Sequence, residues 1–389
     1  GDTTDHLLEL AATVSSNPRG RELDALLSTG EQTSSSLLAL ALHDIGVDAI
    51  SFTGIQAGIL TDGTPSKARI ERIQRDHILR ELEKGRVVVI TGYQGVDCEG
   101  NITTLGRGGS DTTAVALAAV LRADACEIFT DVDAVYTADP RIVPQAKRLA
   151  EISYDEMSEM ATLGAKVLQP RSVELAKRYQ VPLRVRSSFT QSEGTLVRDI
   201  AEAQDRGGRS MLEQVMVRGV AHSADEVKLV VEGVPDVPGM AARLFGELAE
   251  NKIAIDMIIQ SMHKGGTNDI AFTVPREDFP QAMAVSKRIA QEIGAKGVVF
   301  DENVAKVSLV GTGITQDSRI PAKMFKTLAQ QGINIDMIST SGTRISCVID
   351  KDRVEDAVRA LHEAFFSPGE SPEELPEATV GGAHYHGAC

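Results

Sequence analysis

The sequence contains no tryptophan, and aromatic residues fill only 4% of its 389 positions. Aromatic stacking platforms for nucleobases are therefore not expected. Cysteine is scarce as well. Cys98, Cys126, Cys347 and Cys389 show neither paired metal-ligand spacing nor a disulfide framework, which points to a reducing, cytoplasmic setting. No apolar run approaches membrane-spanning length, so no membrane partner is expected. Positive charge is in short supply: 40 Lys and Arg against 55 Asp and Glu leave a net charge of −15, and no basic cluster resembles a nucleic-acid footprint. An anionic substrate must then be held by a few local cations and by backbone N–H groups. The rest is ordinary globular composition, 42% hydrophobic and 24% charged, with length for two or three domains.

The stretch richest in chemistry is Thr103-Thr104-Leu105-Gly106-Arg107-Gly108-Gly109-Ser110-Asp111. It follows an apolar run, Val87 to Ile90, that predicts a buried strand, and it precedes a small-residue helix from Ala114 to Leu121. Glycines ahead of a helix let backbone N–H groups close around an anion, and the helix N-terminus adds partial positive charge. Arg107 offers a two-pronged donor suited to carboxylate or phosphate. Asp111 can cap the helix, hold an amino group or order Arg107. A tight turn with a capped helix is the plain alternative.

Residues 1–196 alternate helical and strand patterns, which predicts a mostly parallel sheet with helices on both faces. Helices are expected from Asp5 to Val14, over 31–45 and over 68–84, and strands at 47–53 and 87–91. A strand from Cys126 runs into a polar turn ending at Arg141. Ligands of open α/β sheets sit beyond strand carboxyl ends, which favours Thr130 and Asp131. A further helix opens at Ser153-Tyr154-Asp155-Glu156, a strand follows from Pro182 to Val185, and 199–211 reads as a linker. Beyond it lies an internal repeat. Residues 233–261 and 313–340 align 80 positions apart, with Ile255-Asp256-Met257-Ile258 facing Ile335-Asp336-Met337-Ile338. Each copy reads strand, helix, strand, strand, helix, strand, and a strand at 215–220 is expected to join the second copy's sheet. In the first copy Asp236-Val237-Pro238-Gly239 forms a strand-to-helix turn suited to an α-carboxylate. The tail, 368–389, is expected to be disordered, with His384, His386 and Cys389 incidental rather than a metal site.

The strings LGRGGSDTTA, TDVDAVYTADPR and GAKVLQPR, followed by the tandem repeat, resemble the aspartate kinases, members of the amino acid kinase superfamily with paired ACT domains. The resemblance implies an α/β fold: a three-layer α/β/α amino acid kinase sandwich over 1–198, lacking its first strands, then two α+β ferredoxin-like ACT domains at 212–303 and 304–367. The family's opening strand, with a Lys-Phe-Gly-Gly-Thr-Ser motif, is not found ahead of Gly1, so the chain reads as an N-terminally truncated copy. A phosphate-bridging lysine of the family lies in that motif, which places the activity of the chain as given in question. The implied reaction is ATP-dependent, Mg2+-assisted phosphorylation of the side-chain carboxylate of L-aspartate to 4-phospho-L-aspartate, opening lysine, threonine and methionine synthesis.

By the same resemblance Thr4, Glu31, Arg107, Gly108, Gly109, Ser110 and Asp111 hold aspartate. Glu31 would meet its α-amino group and Arg107 its carboxylate. Thr130, Asp131, Tyr136, Arg141, Lys166 and Val167 would line the ATP site. Asp236, Gly239, Ala241, Ile255, Asp256 and Gln260, with Asn334, Ile335 and Ser341 of the second copy, would bind an amino-acid effector, threonine or lysine or both. No protein-held metal is implied. Chains are expected to assemble as a homo-oligomer, or with a separate regulatory chain, through the ACT domains. The second copy departs from the family: Asp317-Ser318-Arg319 replaces a His-Pro-Gly turn, and Gly342 stands where Glu is usual. Gln169 stands where His is common. The alternatives are another amino acid kinase and a non-catalytic amino-acid sensor. A carboxylate nucleophile is already ionised at neutral pH and needs no general base, in keeping with a sequence that displays no Ser-His-Asp or Cys-His arrangement.

Overall fold

The computed structural model describes residues 3–164, 167–200, 217–263 and 265–367. Lys166, most of the expected linker and the tail at 368–389 lie outside the described residues.

In the first half, α1 (Thr3–Val14) and α2 (Arg21–Asp44) lead into β1 (Ala49–Phe52), β2 (Ile59–Thr61), β3 (Ile70–Ile73), α3 (Asp76–Glu83), β4 (Val87–Ile90), β5 (Gln94–Val96) and β6 (Ile102–Thr104). There follow α4 (Gly109–Leu121), β7 (Cys126–Thr130), β8 (Glu151–Ile152), α5 (Tyr154–Thr162), α6 (Pro170–Tyr179), β9 (Leu183–Ser187) and β10 (Thr195–Val197). β1 runs parallel to β4. β7 runs parallel to β9, β10 antiparallel to β9 and β8 parallel to β10. A side sheet has the order β3-β2-β5-β6. Among the described residues β4 and β7 each carry a partner strand on one edge only.

Two expectations need correction. The second helix begins at Arg21, because Asp24, Leu27, Ser28, Ser35 and Ala39 continue one buried stripe. The helix expected over 68–84 is a strand, β3, followed by a short helix, α3. Ile70, Ile73 and Ile78 suggest helical spacing, but the Asp62 carboxylate accepts from the Arg69 N–H (3.1 Å) and β3 pairs antiparallel to β2.

The second half contains β11 (Gly219–Ser223), β12 (Glu226–Pro235), α7 (Met240–Glu250), β13 (Asp256–His263), β14 (Thr267–Pro275), α8 (Phe279–Glu292) and β15 (Gly297–Asp301). The second copy supplies β16 (Val304–Val310), α9 (Arg319–Gln330), β17 (Met337–Thr340), β18 (Arg344–Asp350) and α10 (Val354–Phe366). Its sheet has the order β11-β16-β18-β17, and that of the first copy β13-β14-β12-β15. The place beside β16 is thus taken by β11, from Gly219 opposite Val310 to Ser223 opposite Lys306, and the described chain places no strand after α10. Alternation along β12 sends Val227, Leu229 and Val231 onto Phe272, Leu244 and Leu248. Each such buried side chain contributes roughly 2 kcal/mol.

Two carboxylates of α5, Glu156 and Glu159, join the halves. Ser153 and Glu156 form a capping box at the start of α5. The second oxygen of Glu156 accepts from the Thr312 N–H (3.1 Å) and hydroxyl (2.9 Å), docking the second repeat onto the helix. Beside it the Val220 N–H donates to the Thr137 carbonyl at 2.7 Å. Among the described residues no helix is long and apolar enough to cross a membrane.

Candidate active site

The loop between β6 and α4 is shaped by glycine where nothing else fits. Gly108 is left-handed (φ 69°), and a Cβ there would stand 1.8 Å from Cγ of Gln169. The Thr112 hydroxyl donates to the Gly108 carbonyl (3.0 Å) and that of Thr113 to the Gly109 carbonyl (2.7 Å), tightening the first turn of α4. Beneath the loop lies Asp24, which sequence reasoning missed. This fully buried carboxylate of α2 accepts from the Ser66 N–H and hydroxyl (2.9 Å each) and from the Thr104 N–H (2.9 Å) and hydroxyl (3.0 Å). An acidic residue on the buried stripe of an amphipathic helix was the available signal.

Between β4, α3 and α4 lies a groove of about 450 Å³. Glu31, Gly92, Ser110 and Thr113 bring its polar groups, and Ile78 and Leu117 belong to its apolar lining. Glu31 and Ser110 thus meet at one site, although they lie 79 positions apart on different elements. Burial pushes the Glu31 carboxyl above its ordinary range. The same cause lifts Asp111, and a hydrogen bond from the Gln169 N–H partly offsets it. Arg107 points elsewhere: its exposed guanidinium lies 3.8 Å from Glu277 of the first repeat. Thr4, half-exposed on α1, is not part of the groove lining.

A second cavity, of about 610 Å³, opens beyond the carboxyl end of β7. Asp131, Tyr136, Arg141 and Val167 all line it, and the neighbouring Thr130 hydroxyl donates to Asp131 at 3.0 Å. The Tyr136 hydroxyl donates to Asp133 (2.8 Å), and Arg141 forks onto Asp139 (2.7 and 3.0 Å). That guanidinium holds the Asp139 carboxyl below its usual range. Sequence reasoning missed three parts of the wall: Met160 and Gly164 at the end of α5, Phe189 after β9, and His222 on β11. The β11 contribution is tertiary and leaves no local signature. Among the described residues no group of three or more His, Cys, Asp or Glu side chains is placed to hold a metal ion.

The expected effector positions divide into two settings. Gly239 caps α7 with φ 98° and open space around it, Ala241 lies in the first turn, and Asp236 accepts from the Asn268 side chain (2.9 Å). Ile255 is half-buried just ahead of β13, and Gln260 is exposed along it. Asp256 is engaged inward, accepting from Lys306 (2.7 Å) and Arg344 (3.0 Å). Burial pushes its carboxyl up, but the two cations more than offset this and leave it below the ordinary range. In the second copy Asn334 is exposed and Ile335 half-buried, while the Ser341 hydroxyl donates to Glu159 of α5 (3.1 Å). The departing turn there is closed by an Arg319 fork on Asp317 (2.8 Å).

Residues 1–187 match the amino acid kinase family, and 227–288 and 307–365 match the ACT domain. An aspartokinase of Pseudomonas aeruginosa is 50% identical over 362 residues, covering 93% of this chain and 86% of that protein. An aspartokinase of Mycolicibacterium smegmatis is 47% identical over 368 residues, covering 94% and 86%. Among solved structures, E. coli aspartokinase III in complex with aspartate and ADP (R-state) superposes with a TM-score of 0.77 at 28% identity, covering 94% of this chain and 80% of that one. The same enzyme with lysine and aspartate (T-state) gives 0.66 at 29% identity, covering 93% and 80%. With half of its residues shared across nearly its whole length, and with a kinase half and paired ACT domains in the same order, this chain belongs to the aspartokinase family.

Proposed function

We propose that the chain binds L-aspartate at the Gly106–Asp111 loop and MgATP in the cavity beyond β7, and transfers the γ-phosphoryl group to the side-chain carboxylate to give 4-phospho-L-aspartate and ADP. The observation that carries the reading is the glycine loop at the N-terminus of α4, with Glu31 and Ser110 brought to one groove beside it. Family membership and the aspartate and ADP named for E. coli aspartokinase III support it.

The chemistry asks the protein to position two anions and offset their charge. Glu31 would take the α-ammonium group, whose charge would draw the buried carboxyl back into its ionised form. The backbone N–H of Gly108, at the positive end of α4, would face the reacting carboxylate, while that of Gly109 closes the turn onto the Gly106 carbonyl at 2.9 Å. Arg107 would turn from Glu277 to the substrate, an inexpensive change for an exposed pair. Arg141, Tyr136 and Asp131 would orient the nucleotide, with Lys166 at the phosphates. Among the described residues the donors do not build a resident metal site, and Mg2+ is read as part of the nucleotide substrate, where it would neutralise phosphate charge. Lysine or threonine, or both, would act as effector at the Asp236–Ala241 turn, and the ACT units would mediate assembly in the cytoplasm.

The test is hydroxamate trapping of the acyl phosphate formed by the protein as encoded, from aspartate and MgATP, with and without lysine and threonine. Product from aspartate but not from glutamate is expected. No product from aspartate overturns the substrate reading, and activity indifferent to both amino acids overturns the effector reading. Arg107→Ala is expected to raise the KM for aspartate by about two orders of magnitude, through loss of a charge-assisted contact, while leaving that for ATP nearly unchanged.

A further inference from the structure

The substrate loop is held by the segment that opens α6. Gln169-Pro170-Arg171 opens α6, with Gln169 as its extended N-cap and Pro170 in the first turn. Arg171 is half-buried and sends both arms of its guanidinium to main-chain carbonyls: one to Leu105 (3.1 Å), immediately before the loop, and one to Ala68 (3.0 Å). The Ala68 N–H in turn donates to the Thr104 carbonyl at 3.0 Å. Gln169 acts from above. Its side chain lies against Gly108 where a Cβ would go, and its backbone N–H lies near enough to the Asp111 carboxyl to favour the ionised form. The Ser172 hydroxyl fixes the Gln169 carbonyl at 2.7 Å.

We infer that Arg171 and Gln169 are positioning residues for the substrate loop, setting where Arg107, the Gly108 N–H and Asp111 stand without touching substrate themselves. The inference rests on the reading of this loop as the aspartate site. A planar guanidinium reaches two carbonyls on different segments at once, which a lysine ammonium at the end of a flexible stem does less well. It also leaves a half-buried positive charge beside a loop meant for an anion, in a chain of net charge −15. The segment follows directly on Lys166 and Val167, so one short stretch serves both substrates, and the clasp registers the aspartate loop against the nucleotide cavity.

Arg171→Gln, Arg171→Lys and Gln169→Ala test this in two arms. In steady-state assays Arg171→Gln is expected to raise the KM for aspartate about tenfold while the KM for ATP moves less than about twofold, with Arg171→Lys intermediate. Gln169→Ala, which keeps the backbone donor and removes only the side chain over Gly108, is expected to show the same selectivity at about a third of the size. Equal effects on both KM values, or no recovery with lysine, would reduce the segment to a general structural support and overturn the inference. The second arm is hydrogen exchange without ligand. Amides 106–112 are expected to exchange about tenfold faster in Arg171→Gln, with amides 177–180 at the far end of α6 unchanged. Unchanged loop exchange overturns the inference whatever the substrate, so it can fail separately from the aspartate reading. Should Arg171→Gln not fold, Gln169→Ala decides both arms.

Discussion

The two repeats carry the same Ile-Asp-Met-Ile string, yet their surroundings differ in kind. The first repeat closes its core with its own strands and helices, Phe272 and Leu229 against Leu244 and Ile289. The core of the second is continuous with the kinase half, where Ala138 and Val143 pack into the cluster of Val307, Met324 and Leu361. Across the seam between repeats the pairing is exchanged: Lys306 on β16 bonds Asp256 of the first repeat, and Lys228 on β12 bonds Asp336 of the second. Each lysine is the third residue of its strand, yet the two are unequal. Lys306 is 2% exposed and also binds Glu226 (3.0 Å), whereas the Asp336 partner of Lys228 is 41% exposed. Duplication explains the matching contacts, and the environment decides what each is worth.

The sharpest way to break the comparison is to remove each lysine. Lys306→Met leaves Glu226 and Asp256 short of a buried cation and is expected to cost about 3–5 kcal/mol in urea unfolding. Lys228→Met, at a wetter pair, is expected to cost less than about 1 kcal/mol. Similar losses would mean that the repeats are equivalent after all.

Asp256→Asn sharpens the same point through pH. A carboxyl held below its unfolded value contributes stability that is present above that value and lost as pH falls through the lower folded one. The stability gap between Asp256→Asn and the unaltered protein should thus be widest above about pH 4 and close as the pH falls further. A gap independent of pH would show that Lys306 and Arg344 do not govern this carboxyl.

The helix entrances give smaller contrasts. Gly239→Ala imposes strain at φ 98°, and it is expected to weaken lysine or threonine binding about tenfold by calorimetry. Ser318, at the equivalent entrance, has φ −60°, and Ser318→Ala should leave binding within about twofold. Last comes Asp317→Asn, which removes an exposed fork with Arg319 and should change stability by less than about 0.5 kcal/mol. A larger loss would show that this fork stiffens the second turn.

Much of this organisation was legible before any coordinates. The strings around Arg107 and Asp131 announce a glycine turn ahead of a helix and a polar turn beyond a strand because loop chemistry is local, and the repeat shows itself because Ile255 to Ile258 recur intact. What escaped is long-range. A four-residue strand such as β3 shares its isoleucine spacing with a helical turn, so period alone misassigned it. Asp24, His222 and the exchanged lysines depend on partners far along the chain, which no local pattern encodes. Arg107 carries a further lesson: its residue type suits a substrate, yet at rest it faces Glu277.

The exchange at β11 bears on how such a protein can be cut and rejoined. The strand precedes the first repeat in sequence, pairs with the second, and through Val220 is tied to Thr137 beside the cavity beyond β7. Covalent order and mechanical order therefore disagree. A regulatory module excised at the start of β12 would leave β16 with a bare edge, inviting aggregation. A chimera that grafts another sensor onto this kinase half would need to import β11, Thr312, Ser341 and Arg344 together, since these form the hinge plate of the joint.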